Sequence, residues 1–284
     1  MSEAPWRRRS RLVFVGAPFA WLALTVAAPL ALVVAISLGE ATQGAPPFEW
    51  GFSTANYALV LSDELYWGAF ATSARIAGTS TLICLAVGYP MALGIARAAP
   101  SRRSLLLFLV VLPFWTSFLI RVYAWMGLLR PTGLVNSVLE ALGLVDAPLQ
   151  LIANEFAVHL GIVYAYLPFM VLPLYATLEK LDPALVEAAH DLGLRPRAAF
   201  WRVTFPLSLP GVAAGALLVF IPASGEFVIP DLLGGPDTPM VGRILWLEFF
   251  QNRDWPVACA LATTLAALLA MPILLFDRLR ARAA

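Results

Sequence analysis

Five carboxylates, Glu226, Asp231, Asp237, Glu248 and Asp254, stand between residues 226 and 256 against two arginines, Arg243 and Arg253. Carboxylates gathered like this can hold cationic groups, and aromatic faces can take the same charge through cation–π contact. Trp246 lies within the stretch, and Tyr123 and Trp125 precede it in RVYAWMGLL. Glu226 is the sharpest case, because PASGEFVIP sets a carboxylate near the end of an apolar, glycine-interrupted segment. An ionisable group in that setting is a functional suspect by default. Arg75 and Arg121 also fall within apolar segments and are read as structural cations, paired with Glu226 or with backbone carbonyls.

No covalent chemistry is legible. His159 and His190 stand apart from Cys84 and Cys259, so no metal-ligand spacing arises, and no catalytic residue is assigned. The single lysine, Lys180, sits in LEKLD without the glycine-rich context of a phosphate-binding loop. The chain is therefore expected to bind no cofactor. If ATP powers it, the ATP and its Mg belong to another subunit.

The elements that must position these residues are spans. The chain has 284 residues, mean hydropathy +0.79 and only 13 % charged residues, where a soluble domain carries about 25 %. Six segments approach the ~20 apolar residues that cross a bilayer: roughly 12–38, 67–96, 105–129, 156–178, 207–229 and 255–276. With the N-terminus inside, the inner segments hold fourteen Lys and Arg and the outer ones three. That bias sets both termini in the cytoplasm. The basic WRRRSR at residues 6–11 is then a topology signal, with no nucleic-acid role. The first span is too long for a signal peptide and is read as uncleaved.

The spans are interrupted. Pro90, Pro113, Pro168, Pro173, Pro222 and Pro272 fall within them, and each removes a backbone donor. Gly211 and Gly215 form a small-xxx-small step suited to close helix contact. Residues 132–146 read as a short amphipathic outer helix, and residues 39–65 as an irregular outer loop.

Between the fourth and fifth spans lies a polar stretch, VEAAHDLGLRPRAAFWRVTFPLSLPG, at 186–211. Asp182 followed by Pro183 is an N-cap with a first-turn proline. Leu185, Ala188, Ala189 and Leu192 recur on one helical face, and Gly193 stands where a residue with positive φ is wanted. Pro196 begins a second short helix and Pro206 introduces the fifth span. The helix could rest on the inner leaflet, but Glu187 and Asp191 make it acidic, which anionic lipid repels. A groove on a protein partner fits it better.

Glu187, Ala188, Ala189 and Gly193, followed by Pro206, resemble the EAA motif of bacterial ABC-importer permeases. RVYAWMGLL (121–129), GIVYAYLPFMVLPLYATLEKLDPALVEAAHDLG (161–193) and PASGEFVIPDLLGGPDTPMVGRILWLEFFQNRDWPVA (222–258) are similar to the first membrane subunit of putrescine/spermidine importers. The likeness covers roughly 65–276. It implies an all-α integral membrane protein of the type I importer (MetI-like) permease fold, with six transmembrane helices, in the bacterial inner membrane. It also implies a coupling helix that meets a cytoplasmic ATPase, with Glu187 at the contact and Gly193 at the bend. Implied partners are a second permease subunit, two ATPase subunits, a periplasmic polyamine-binding protein and the lipid bilayer. The Arg195-Pro196 joint departs from the pattern and leaves the register of the loop's second half open.

Domain boundaries follow: 1–64 as basic segment, first span and outer loop; 65–276 as five-helix core with the coupling loop at about 182–206; 277–284 as tail. A polyamine needs carboxylates for its ammonium groups and rings for its stem. Glu226, Asp231 and Glu248, with Tyr123, Trp125 and Trp246, are the expected outer gate. Outer acidity could also simply mirror the inner basic bias. A same-fold importer of another small solute or metal ion, or an ion-coupled secondary transporter, remain the alternatives.

Overall fold

The computed structural model describes the backbone of residues 5–283 and the side chains of residues 14–271. It is helical throughout apart from one small hairpin. In chain order the elements are α1 (Pro5–Leu22), α2 (Ala28–Ser37), β1 (Glu40–Ala41), β2 (Phe48–Glu49), α3 (Ala55–Ser62), α4 (Glu64–Arg97) and α5 (Pro100–Val111). There follow α6 (Phe118–Leu129), α7 (Leu134–Ala141), α8 (Glu155–Leu178), α9 (Pro183–Asp191), α10 (Pro196–Ala199), α11 (Phe205–Ser224), α12 (Val228–Leu232), α13 (Val241–Trp246) and α14 (Trp255–Ala283). Two compact units emerge. One comprises the chain up to Trp67 with Leu245–Leu268; the other comprises Gly68–Ile244 and the chain from Leu269 onward.

Among the described residues, four helical stretches are long and apolar enough to cross a bilayer: Phe14–Ser37, Glu64–Arg97, Glu155–Leu178 and Pro196–Ser224. A fifth crossing is broken. The expected single span at 105–129 is two pieces, Pro100–Trp115 and Phe118–Ala141, bent by 86°. Pro113 donates no hydrogen bond, and Thr116 and Ser117 take extended backbone conformations, so the helix stops and restarts in a new direction. Trp255–Met271 is a shorter apolar helix.

A second correction concerns Pro206, which does not begin a new helix. The chain runs helically from Pro196 to Ser224 through a π-turn at Phe200–Thr204. The wider turn lets the Phe205 amide donate to the Phe200 carbonyl, and Pro206, which has no amide to offer, follows at once. The residues expected to form a separate second helix of the loop are thereby welded to α11.

Within the first unit, α3 holds the end of α2. Asn56 donates to the carbonyls of Ser37 and Gly39 at 2.9 and 2.8 Å, and the Ser37 and Tyr57 hydroxyls lie 2.6 Å apart. Phe48 of the hairpin and Phe249 both stack on Trp255. In the second unit, α8 and α11 pack along their length through the small residues noted in the sequence. A Cβ on Gly211 would stand 2.5 Å from Thr177 Oγ1, and one on Gly215 would stand 2.8 Å from Met170 Sδ. Small residues at this seam let the backbones approach. Met170, Val171, Leu174, Val219 and Cys84 fill the core beside it. Asn136 of α7 is fully buried and anchors the loop that follows, donating to Arg130 and Leu149 carbonyls and accepting from the Leu149 amide.

Candidate functional site

The loop between α8 and α11 is built by local signals. Asp182 Oδ1 accepts from the Ala184 amide at 2.9 Å, and Pro183 opens α9 without needing a donor. At the other end Gly193 has φ +84°. The Gly193 amide donates to the His190 carbonyl at 2.8 Å and the Leu194 amide to the Ala189 carbonyl at 3.0 Å. This paired closure ends a helix through a left-handed residue, for which glycine carries no Cβ penalty. His190 Nδ1 donates to the Leu194 carbonyl at 3.0 Å, which pins the same bend.

The faces of α9 divide differently from the expected single apolar stripe. Ala189 is buried against the rest of the unit, and Val186 is half-buried. Ala188 is exposed, Leu185 is 48 % exposed and Leu192 is 85 % exposed. Leucines held outward in water on a rigid, capped helix form an apolar edge with nothing of this chain upon it. Glu187 is exposed, forms no ion pair among the described residues, and lines a cavity of about 570 Å³ with Arg97, Arg103, Glu179 and His190. Arg103 reaches Glu179 at 3.3 Å across that cavity's wall. Pro206 is exposed on the α11 side.

Glu226 sits just beyond the end of α11 and is 8 % exposed. One oxygen, Oε1, accepts from the Val228 amide at 3.0 Å and the Ile229 amide at 3.4 Å, capping α12. The other accepts from the Tyr166 hydroxyl. Both oxygens are hydrogen-bonded, yet no cation pairs with the carboxylate among the described residues. Glu226 lines a cavity of about 430 Å³ whose walls include Phe114, Phe118, Arg121, Tyr166 and Phe169. Arg121 donates to the Pro113 carbonyl, which also accepts from the Thr116 amide at 3.3 Å and the Thr116 hydroxyl at 2.8 Å, and its guanidinium lies 5.3 Å from the Phe114 ring centre and 5.9 Å from that of Phe118.

The other candidates lie elsewhere. Asp231 faces Arg243 at 3.3 Å. Tyr123 is exposed, and Trp125 packs edge-on against Tyr164. None of the three lines the Glu226 cavity. Glu248 accepts from the Tyr66 hydroxyl at 3.1 Å and from Asn252 at 2.8 Å, and Trp246 packs on Phe250; these belong to the first unit. Arg75 pairs with Glu155 by a two-pronged bond, in place of the expected Glu226 or carbonyl partner. Glu155 also meets His159 at 3.1 Å, and His159 Nδ1 lies 2.8 Å from Ser80 Oγ. The sequence reading missed Glu155, the aromatic walls of the Glu226 cavity and the Tyr166 hydroxyl. An acid one helical turn before His159 was the available signal for the first; nothing in the spacing gives the walls.

A profile described as "Binding-protein-dependent transport system inner membrane component" matches residues 85–282. The chain belongs to this family. It is an inner-membrane protein, which its several apolar helices fit. It is 42 % identical over 92 % of its length to the spermidine/putrescine transport system permease protein PotB of Haemophilus influenzae, covering 90 % of that protein. It is 39 % identical over 91 % of its length to the protein of the same name from Escherichia coli K12, covering 93 % of it. In fold it matches a chain of a bacterial alginate ABC transporter crystallised with its alginate-bound periplasmic protein. The TM-score is 0.76 at 18 % identity, over 99 % of this chain and 98 % of that one.

Proposed function

We propose that this chain is the membrane-spanning permease subunit of an ATP-driven importer that carries polyamines, putrescine or spermidine, across the bacterial inner membrane. It catalyses no covalent step. A second permease chain stands beside it, two ATPase subunits bind ATP and Mg on the cytoplasmic side, and a periplasmic binding protein delivers the amine. The chain crosses the membrane six times with both ends inside, Trp255–Met271 belonging to the last crossing and the bent pair forming the third.

The observation that carries the ATP-driven part is α9. It is capped at both ends, anchored inward by Ala189, and offers Leu185, Ala188 and Leu192 outward. Such a helix fits a groove on a soluble partner, where the exposed leucines are buried. ATPase closure then moves α9 as a rigid body, and the weld through α10 and the π-turn passes that motion into α11 without a flexible joint. Similarity to permeases named for spermidine and putrescine supports the substrate class, and the carboxylate-and-aromatic chamber around Glu226 suits an ammonium group.

Co-purification tests this reading. The tagged chain, expressed with its neighbouring subunits, is expected to bring down an ATPase subunit in stoichiometric amount. Leu192→Glu places a charge on the docking edge and is expected to weaken that recovery at least tenfold while leaving the chain in the membrane, because Leu192 touches little else. Transport by the chain alone, with no ATPase retained by either version, would sink the reading.

A further inference from the structure

The carboxylate of Glu226 is more than nine-tenths buried, carries two backbone amide bonds and one hydroxyl bond, and has no counter-ion among the described residues. Hydrogen bonds alone leave an ionised group in a low-dielectric site only partly compensated, and an opposite charge completes the compensation. A cation is present in the same cavity, on Arg121, yet it is parked. One of its guanidinium nitrogens donates to the Pro113 carbonyl, two phenyl rings lie near its carbon, and its buried Nε has no hydrogen-bond partner. The cavity therefore keeps a carboxylate and a guanidinium on separate walls, with about 430 Å³ lined by Tyr166 and Phe169 as well.

We infer that this cavity is a single-ammonium site in which the guanidinium of Arg121 and one primary ammonium of the transported amine compete for Glu226. With the amine present, Glu226 takes its ammonium, the Tyr166 and Phe169 rings face the first methylenes, and Arg121 rests on Pro113, Phe114 and Phe118, as in the structure. When the amine moves on, Arg121 swings to Glu226 and prevents its return. The break at 112–117 sets this up, since it turns the Pro113 carbonyl, which Thr116 also bonds, within reach of the Arg121 guanidinium. Arg121 is thus a positioning residue, an internal substitute for the substrate cation. A purely structural arginine gives a different pattern of effects when changed.

This inference rests on the reading of the chain as an amine permease, and the experiment separates the two. The full transporter is placed in nanodiscs without its delivery protein, and retention of radiolabelled putrescine is measured beside ATP-driven uptake in proteoliposomes. Arg121→Gln is expected to tighten retention about tenfold, the worth of about 1.4 kcal/mol of lost competition, and to slow uptake because release is no longer assisted. Arg121→Lys keeps the charge and stays near the parent. Glu226→Gln, which retains an oxygen to cap α12, abolishes retention, and in that background Arg121→Gln has no further effect. Phe118→Leu removes one ring from the parking place and weakens retention, which provides the same test if Arg121→Gln does not assemble. Unchanged or weaker retention in Arg121→Gln, or the same change in the Glu226→Gln background, overturns the competition while leaving amine uptake by the parent intact. Absence of any amine uptake by the parent overturns both.

Discussion

Replacing Gly193 by valine is expected to leave the chain inserted in the membrane and bound to its ATPase, yet to cut uptake at least tenfold while ATP hydrolysis continues. Gly193 has φ +84°, and the Gly193 and Leu194 amides close the end of α9 on the His190 and Ala189 carbonyls. A residue with a Cβ pays about 1–2 kcal/mol in that left-handed region, and a β-branched one pays more. The chain escapes the strain by unwinding the turn, which releases Leu194 from Ala189 and lets α9 tilt relative to α10. The inserted helices do not depend on that turn, and Leu185 and Ala188 of the docking edge lie before it. What is lost is rigidity between α9 and the helix that continues into α11. Asparagine tolerates the left-handed region better than other side chains, so Gly193→Asn should recover much of the coupling. The check is the ratio of ATP hydrolysed to amine accumulated in proteoliposomes. A normal ratio in Gly193→Val would remove the lever from the mechanism.

Gly215→Leu is expected to destabilise the second unit strongly. A Cβ at Gly215 would stand 2.8 Å from Met170 Sδ, 3.1 Å from the Met170 carbonyl oxygen and 3.2 Å from its Cα. The sulfur can swing aside, but the two backbone atoms cannot move without shifting α8. Overpacking a filled core usually costs about 1–3 kcal/mol, and here the whole isobutyl group must be housed between two helices already in contact. The seam also sits beside the cluster of Val171, Leu174 and Val219, so separating α8 from α11 opens that core. In detergent the variant should run as aggregate on size exclusion and lose its cooperative melting transition. Gly94, whose added Cβ would meet nothing of this chain within 4 Å, is the control: Gly94→Ala should melt within a few degrees of the parent. Equal melting of Gly215→Leu and the parent would contradict the packing described.

Where signals are local, the residues themselves gave the answer. Asp182, Pro183 and Gly193 mark both ends of α9 because a capping oxygen, a missing donor and a positive φ each act within a few residues. Gly211 and Gly215 mark the α8 seam for the same reason, since only their size mattered. The misses were all non-local or degenerate. Pro206 reads as a helix start, but a π-turn just before it absorbs the missing amide, and no residue type announces a π-turn. Pro113 marks an interruption, yet whether a helix kinks or turns by 86° depends on what packs around Thr116 and Ser117. The partner of Arg75 is Glu155, eighty positions away, and the walls of the Glu226 cavity come from the α5–α6 break, α8 and the α11–α12 junction. Side chains gathered from such separated segments share no spacing.

On the proposed function, amine import through this chain is driven by ATP hydrolysis in a partner. This is tested most directly by radiolabelled putrescine and spermidine uptake into proteoliposomes holding the chain, its sister permease and the ATPases, with delivery protein outside and ATP inside. The expected result is amine accumulation that needs ATP and the delivery protein and is abolished when Leu192→Glu detaches the ATPase. Accumulation driven by an ion gradient without ATP, or ATP-driven import of an unrelated solute with no amine moved, would contradict it.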